Sequence, residues 1–413
     1  MTTGSLAARR GRWSRRAAVL AAAGLLAITA APRTAQAQTV RAAEWYLDFL
    51  HVPQAQQIST GAGVTVAVVD SGVDASHPDL SGRVMAGKSF GSAVAQPSTE
   101  DTVGHGTAMA GIIAAQGGGA HHALGIAPRA SILSVRSSAT SHSDPDDVAK
   151  AIRWATDHGA DVINVSQAAN TSTPEEVSAV HYAEVHDVLI VAGAGNTNVG
   201  VTSVGAPGRL KGVLNVTGVD QSGKFWNGSA QGKYATLSAP AVKIVSPTSI
   251  GRTGYAQGTG TSAATAIVSG VAAMVRAKYP DMDAANVINR IIKTATDRGP
   301  TGWDQQYGFG IVNPVAALTA NVPTVHKNPL GGTVADPLAS SAPPQGADGV
   351  SRPAAAGSGA GTGPALIAVV VAVVLVVLVA VIVVMMMRNR RRNGRAADSG
   401  PTGDSVLPPA NRR

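Results

Sequence analysis

The chain has no cysteine among its 413 residues. It can therefore form no disulfide, use no thiol nucleophile and hold no thiolate metal site. Any folded part must be held together by its hydrophobic core. The stretch from residue 38 to residue 322 is long enough for one large domain. A domain of this size buries about three quarters of its unfolded surface.

The chain also lacks a basic folded region, although its formal net charge is +8. Residues 38–322 hold 18 Lys and Arg against 21 Asp and Glu, a net charge of −3. The positive excess lies mainly before residue 38 and after residue 387. Binding to nucleic acid depends on clustered positive charge, so a nucleic-acid partner is not predicted.

The first 37 residues have the pattern of a secretory signal peptide. Five arginines between positions 9 and 16 precede an apolar run at 17–31, and the small residues AQA occupy 35–37. This arrangement predicts cleavage after Ala37. The arginine pair at 15–16 leaves the twin-arginine export route open beside the general secretory route.

A second apolar run, at residues 365–387, contains 23 residues and no charge, which is enough to span a bilayer as a helix. Five arginines follow between positions 388 and 395. Positive charge stays on the cytoplasmic side, so residues 388–413 are predicted to be a basic cytoplasmic tail. The chain is thus predicted to cross the cell membrane once, with its bulk outside. Residues 323–364 hold 7 Pro and 8 Gly and are predicted to be a flexible linker.

Between signal and linker, β-rich apolar runs alternate with helical patterns. The runs lie at 64–69, 132–135, 162–165, 188–192 and 213–219. They are typical of parallel strands buried on both faces. Helical spacing is found at 146–158 and from residue 174 onward. The pattern predicts an α/β domain whose mainly parallel sheet lies between helices, with function at the carboxyl edge of the strands.

Three short segments, in the order Asp, His, Ser, carry candidate catalytic groups. VVDSGV at 68–73 contains Asp70, GHGT at 104–107 contains His105, and GTSAA at 260–264 contains Ser262. A hydroxyl nucleophile needs a base to take its proton and a carboxylate to orient that base. Histidine suits the base because it titrates near neutrality. Ser262 opens a helix of small residues, whose N-terminal N–H groups favour an oxyanion.

With these segments the chain resembles the subtilisin-like serine proteases, whose triad has this order. The resemblance covers roughly residues 45–320 and includes YGFGIVN at 307–313. It implies a subtilisin-like three-layer domain and hydrolysis of polypeptides through an acyl-enzyme. It also implies that Asn196 donates a hydrogen bond to the oxyanion. The substrate-binding residues that it implies are Ser166, Gln167, Ala168, Gly193 and Gly195.

The chain departs from the family pattern in the cleft. A segment that is often SLGG is SQAA here, at 166–169, and Ala266 stands where the family usually has proline. An added methyl group on a cleft wall would narrow the pocket or shift the backbone of the bound peptide. We expect a restricted cleft that favours small side chains at the cleaved residue.

The order of segments narrows the resemblance to the mycosins, membrane-anchored proteases associated with type VII secretion; GHGTAMAGII at 104–113 is similar to theirs. This implies subunits of a secretion complex as partners. The main alternative is a subtilase-fold scaffold that stabilises such a complex with weak or dispensable proteolysis. Asp70 lies only 33 residues after the predicted cleavage point, so residues 45–58 are predicted to be an extension packed on the domain. No ligand spacing predicts a metal or cofactor.

Overall fold

The computed structural model describes residues 39–140, 143–251 and 254–331. The predicted signal peptide, transmembrane segment and basic tail, and the predicted linker beyond residue 331, lie outside these ranges. Within the described ranges, none of the helices combines the length and the apolar character needed to cross a membrane.

A seven-stranded parallel sheet forms the centre, in the order β2-β3-β1-β4-β5-β6-β7. Its strands are β1 Thr65–Asp70, β2 Val84–Ser89, β3 Ser131–Arg136, β4 Val162–Val165, β5 Leu189–Gly193, β6 Leu214–Val219 and β7 Leu237–Pro240. A separate antiparallel hairpin joins β8 Ile244–Pro247 to β9 Tyr255–Gly258. The helices are α1 Val40–Ala43, α2 Trp45–Phe49, α3 Val52–Gln56, α4 His105–Ala114, α5 Pro145–Asp157, α6 Pro174–Val185, α7 Thr261–Lys278, α8 Ala284–Lys293 and α9 Pro314–Thr319.

Both faces of the sheet are buried, and successive strand residues enter different cores. In β1, Val66 and Val68 pack with α4 and α7, while Ala67 and Val69 pack with α5 and α6. Side chains of a strand alternate between faces, so covering both faces requires a continuous apolar run. The predicted three-layer α/β fold is confirmed. Each of the five predicted strands begins and ends within one residue of its predicted limits.

Three features of the sheet and its surroundings were not predicted: β2, β7 and the β8–β9 hairpin. β2 lies at the sheet edge with mostly exposed or half-buried residues, so it lacks a continuous apolar run. β7 is buried but has only four residues and ends in proline. The side chains of β9 are largely exposed. Short strands and edge strands form because they pair with neighbouring strands, and their own hydrophobic pattern does not predict them.

The N-terminal segment packs on the domain. The indole N–H of Trp45 lies 3.2 Å from the carbonyl oxygens of both Val242 and Lys243, just before the hairpin. Tyr46 and Leu47 are fully buried in the core that contains α4 and α7. The segment is therefore an integral part of the domain.

The C-terminal limit of the domain lies later than the predicted boundary at residue 322. Val325 exchanges two hydrogen bonds with the side chain of Asn286, at 2.8 and 3.0 Å. The backbone N–H of Gly212 donates to the carbonyl of Leu330 at 2.8 Å. Residues 323–331 thus pack on α8 and the loop before β6. These residues have the Pro and Gly content typical of a linker, and their contacts are distant in sequence. This packing was therefore not predicted.

Candidate active site

The candidate catalytic residues meet at the carboxyl edge of the sheet. Asp70 ends β1, and Ser166 directly follows β4, the neighbouring strand. His105 is the first residue of α4, and Ser262 lies in the first turn of α7. A cavity of about 410 Å³ is lined by both His105 and Ser262. This is the crevice in which an open α/β sheet is expected to bind its ligand.

A half-buried His105 forms a hydrogen-bonded pair with buried Asp70. Nδ1 of His105 lies 2.8 Å and 2.9 Å from the two carboxylate oxygens of Asp70, whose side chain is almost fully buried. The backbone N–H of Ser71 also donates to Asp70, at 2.7 Å. Burial by itself lowers the pKa of His105, but the charge and hydrogen bond of Asp70, with the charge of Asp101, outweigh it and raise the pKa. The pair fixes the ring so that Nε2 is left for a substrate or nucleophile.

Asp101 holds the loop that leads into His105, and sequence analysis did not single it out. Its Oδ1 accepts hydrogen bonds from the Ser71 hydroxyl and from the N–H groups of Val103 and Gly104, each at 2.9 Å. Its Oδ2 accepts from the N–H and hydroxyl of Thr107, at 3.0 and 2.7 Å. One buried carboxylate thereby ties the start of α4 to the end of β1. The sequence feature that could have pointed to this role is the short distance from Asp101 to the GHGT segment at 104–107.

Gly106 lets α4 approach the end of β1. A Cβ atom at this position would lie 2.0 Å from the carbonyl oxygen of Gly72 and 3.2 Å from Cβ of Asp70. No side chain fits in that space. The contact between Asp70 and His105 therefore depends on glycine at position 106.

Ser262 is presented by the N-terminus of α7. Its hydroxyl donates to the carbonyl of Ser166 at 2.9 Å, and the Ser166 hydroxyl donates to the carbonyl of Ser262 at 3.1 Å. Among the described residues, Ser262 makes no hydrogen bond to His105. The first N–H groups of a helix have no intrahelical partner, and the helix dipole favours negative charge there. The backbone N–H of Ser262 is thus suited to binding an anionic oxygen.

Asn196 is oriented by the residue before Ser262. Its Oδ1 accepts from the N–H and the hydroxyl of Thr261, at 3.0 and 3.1 Å. Thr261 Oγ1 in turn accepts from the N–H of Gly195, at 3.2 Å. Asn196 also lines the cavity. Because its Oδ1 is occupied, its amide nitrogen is the group left to donate.

The predicted substrate-binding residues mostly line the same cavity: Ser166, Gln167, Ala168 and Gly195. The methyl group of Ala168 faces Gly195 and Gly205, since Cβ atoms built on those glycines would lie 3.1 and 3.0 Å from it. Glycine at positions 195 and 205 leaves room for this methyl group, because a Cβ atom at either position would crowd it. The Gln167 side chain accepts from the N–H of Ser143 at 3.0 Å, so it bridges the cleft segment and the residues before α5.

Gly193 is not among the residues that line this cavity, and its part in substrate binding stays a prediction. It is buried at the end of β5, where an added Cβ would lie 3.2 Å and 3.3 Å from the hydroxyls of Thr265 and Thr261. Glycine here allows α7 to pack closely on the strand. Within the described part of the chain, no group of three or more His, Asp or Glu side chains is placed to hold a metal ion.

A model of the subtilase family matches residues 61–310. The chain belongs to the subtilase family. Curated relatives of this subtilase include Alkaline elastase YaB from Bacillus sp., 34% identical over 285 residues that make up 68% of this chain and 72% of the relative. Mycosin-1 from Mycobacterium tuberculosis is 35% identical over 353 residues, which covers 72% of this chain and 77% of Mycosin-1. The chain is a subtilisin-like serine protease related to the mycosins.

Solved mycosin structures have the same fold as this subtilase. MycP1 from the ESX-1 type VII secretion system matches with a TM-score of 0.62 and 30% identity, over 69% of this chain and 88% of MycP1. MycP3 from the ESX-3 system matches with a TM-score of 0.59 and 32% identity, over 67% of this chain and 88% of MycP3. Alkaline elastase YaB and Mycosin-1 are therefore both relatives of this chain, and the MycP1 and MycP3 structures have its fold.

Proposed function

We propose that this subtilase is a membrane-anchored, extracytoplasmic serine endopeptidase that cleaves polypeptides through an acyl-enzyme and is linked to type VII secretion. The observation that carries the enzymatic part is the pairing of His105 with buried Asp70 beside the cavity that Ser262 also lines. A base oriented in this way, next to a hydroxyl at a helix N-terminus, is the arrangement required for nucleophilic catalysis.

In the proposed mechanism, the hydroxyl of Ser262 turns from the Ser166 carbonyl toward Nε2 of His105 and attacks the substrate carbonyl. His105 takes the hydroxyl proton and then gives it to the leaving amine, while Asp70 stabilises the imidazolium. The amide of Asn196 and the backbone N–H of Ser262 donate to the developing oxyanion. Water then attacks the acyl-enzyme with His105 as base, which releases the acid product and restores Ser262.

A polypeptide substrate in an extended conformation suits the cleft segment. Among the described residues, the backbone N–H and carbonyl of Ala168 have no hydrogen-bond partner, while the next residue, Ala169, exchanges two bonds with Ala206. Free backbone groups beside a nucleophile can pair with an added strand. The methyl group of Ala168 supports our expectation of small side chains at the cleaved residue.

The membrane anchor and export rest on the sequence of segments that lie outside the described residues. The charge-free run at 365–387 and the arginines after it support a single crossing with the catalytic domain outside. The link to type VII secretion rests on the relationship to Mycosin-1 and to MycP1 and MycP3. Proteinase added to intact cells should degrade the catalytic domain and leave an epitope placed after residue 413 protected. An epitope degraded together with the domain would contradict this topology.

One observation favours the alternative of a scaffold. The Ser262 hydroxyl is hydrogen-bonded to Ser166 rather than to His105, so the nucleophile is not yet engaged with its base. In free enzymes catalytic hydrogen bonds are often formed only once substrate is bound. A scaffold would keep a secretion complex intact when Ser262 is replaced.

The experiment that tests the proposed function incubates the purified full chain with a mixture of alanine-rich peptides and identifies new termini by mass spectrometry. Ser262→Ala is the matched control, since it removes only the hydroxyl. Cleavage by the wild-type chain that disappears in the control supports the proposal. Equal peptide patterns with the two chains would contradict it and favour the scaffold.

A further inference from the structure

The cavity that contains Ser262 also contains a carboxylate that catalysis does not use. Glu176, in the first turn of α6, lines this cavity together with Pro145 and Val148 of α5. Only 1% of Glu176 is exposed. Its Oε2 is buried and has no hydrogen-bond partner among the described residues. An ionisable group in this condition is costly unless something pairs with it.

Helix capping does not explain Glu176. The N-cap residue Thr173 accepts from the N–H of Glu176 at 3.2 Å, which is the first half of a capping box. In the full motif the glutamate would accept from the backbone N–H of Thr173. That return bond is absent among the described residues, so the carboxylate does not complete a capping box.

The surroundings of Glu176 are short of positive charge. The carboxylate of Asp146, on the adjacent α5, repels it and also has a buried oxygen without a partner. Arg209 attracts it, but the guanidinium donates to the carbonyl of Asn170 at 2.8 Å and forms no ion pair with Glu176 in the described structure. Burial is the main reason that the pKa of Glu176 is raised to about 7. Burial and the carboxylate of Asp146 thus favour the protonated form of Glu176 as long as no cation pairs with it.

We propose that Glu176 forms an acidic subsite that takes a lysine or arginine side chain of the bound polypeptide, away from the scissile bond. This inference rests on the proposed protease function and adds a specificity that the triad alone does not supply. A substrate ammonium group would donate to the unpartnered oxygen and replace the proton. Hydrogen bonds to charged groups of this kind change affinity by about ten- to a hundredfold.

The subsite makes the preference for a cation depend on pH. Below its pKa Glu176 is neutral and offers no charge, and above its pKa it is ionised. Asp146 shifts this transition upward and Arg209 shifts it downward. The ratio of rates for a cationic and a neutral peptide should therefore increase between pH 6 and pH 8. The titration of His105 affects both peptides equally and cancels in that ratio.

The test uses the full chain and a set of fluorogenic alanine decapeptides, in which one position at a time is lysine or norleucine. For the wild-type chain at pH 8, kcat/KM should favour lysine about tenfold or more at one position. Glu176→Gln keeps the shape but should reduce that ratio to about one. Glu175→Gln, an exposed neighbour in the same turn, is the matched control and should keep the preference. If Glu176→Gln does not fold, the proposal is tested with the wild-type chain alone, whose ratio of rates for lysine and norleucine peptides should increase between pH 6 and pH 8.

A lysine preference at no position, or a preference unchanged in Glu176→Gln, overturns the acidic subsite and leaves the hydrolytic function standing. Cleavage of none of the peptides would contradict the proposed function instead. The subsite is then decided by fluorescence anisotropy with the same peptides. Tighter binding of the lysine peptide that depends on Glu176 supports the subsite, and equal binding overturns it.

Discussion

Glu44 makes the stability of the domain depend on pH. This residue of the N-terminal extension is 1% exposed, and its carboxylate oxygens lie 3.0 and 3.1 Å from the backbone N–H of Leu124. Burial raises the pKa of Glu44 from 4.5 to about 8, although the Leu124 N–H and Arg41 oppose the increase. The charge of buried Asp79 adds to it. Replacing Glu44 with glutamine keeps an acceptor for Leu124 and removes the ionisable group.

The magnitude follows from linkage. A carboxyl group with a raised pKa holds its proton more tightly in the folded chain than in the unfolded chain, so stability falls as the pH rises from 4.5 to 8. At 1.36 kcal/mol for each pKa unit, the full effect above pH 8 is about 5 kcal/mol. We therefore expect Glu44→Gln to leave stability nearly unchanged at pH 5 and to increase it by up to about 5 kcal/mol at pH 9.

The assay is urea unfolding of the full chain, followed by tryptophan fluorescence at pH 5 and pH 9. The difference between variant and wild type removes the contribution of every other titrating group. Exposed Glu175→Gln serves as control and should change stability equally at the two pH values. The reasoning is refuted if Glu44→Gln has the same effect on the free energy of unfolding at pH 5 and pH 9, or if it stabilises more at pH 5.

The remaining predictions concern the active site. Because Asp70 contributes to the raised pKa of His105, kcat/KM of the wild type should rise with pH to a midpoint above 6.5, and a midpoint below 6.5 would contradict the assignment. Asp70→Asn should lower kcat by about 10⁴-fold, the loss seen for the corresponding change in another serine protease. Gly106→Ala would place a methyl group 2.0 Å from the carbonyl of Gly72, so urea unfolding should show a loss of about 1–3 kcal/mol, and an unchanged midpoint would show that the helix can move away. Ala168→Gly removes a methyl group from the cavity lining, so peptide profiling should show larger side chains accepted at the cleaved residue; an unchanged profile would mean that another group sets this preference.

The centre of the fold was predictable because burial on both faces leaves a local mark. Every residue of β4 and β5 is buried, and the apolar runs at 162–165 and 188–192 show it directly. The amphipathic face of α5 is equally visible. The edge strand β2 and the docked residues 323–331 left no such mark, because both depend on partners distant in sequence. The local hydrophobic pattern therefore predicted the elements that form the core. It did not predict the elements whose position depends on packing against that core.

The active site likewise contains residues that the sequence predicts and residues whose roles depend on the tertiary structure. Asp70, His105 and Ser262 lie in short motifs whose glycine neighbours and order are visible in the sequence. The support that Asp101 gives to the loop before His105 consists of five hydrogen bonds made by one buried carboxylate, and its burial is a tertiary property. Glu176 in sequence is an ordinary acidic residue in the first turn of a helix. Its role in the cavity follows only from the packing of α6 against α5 and the cleft segment.

The most direct test of the central claim is labelling of the full chain with a fluorophosphonate, which reacts with an activated serine hydroxyl. Peptide mapping should place the label on Ser262 of the wild-type chain, and the label should be lost in Ser262→Ala. His105→Ala should also reduce labelling, because the base is needed to activate the hydroxyl. Absence of labelling in folded wild-type protein, or labelling that persists without Ser262, would contradict the account of a serine protease built on Asp70, His105 and Ser262.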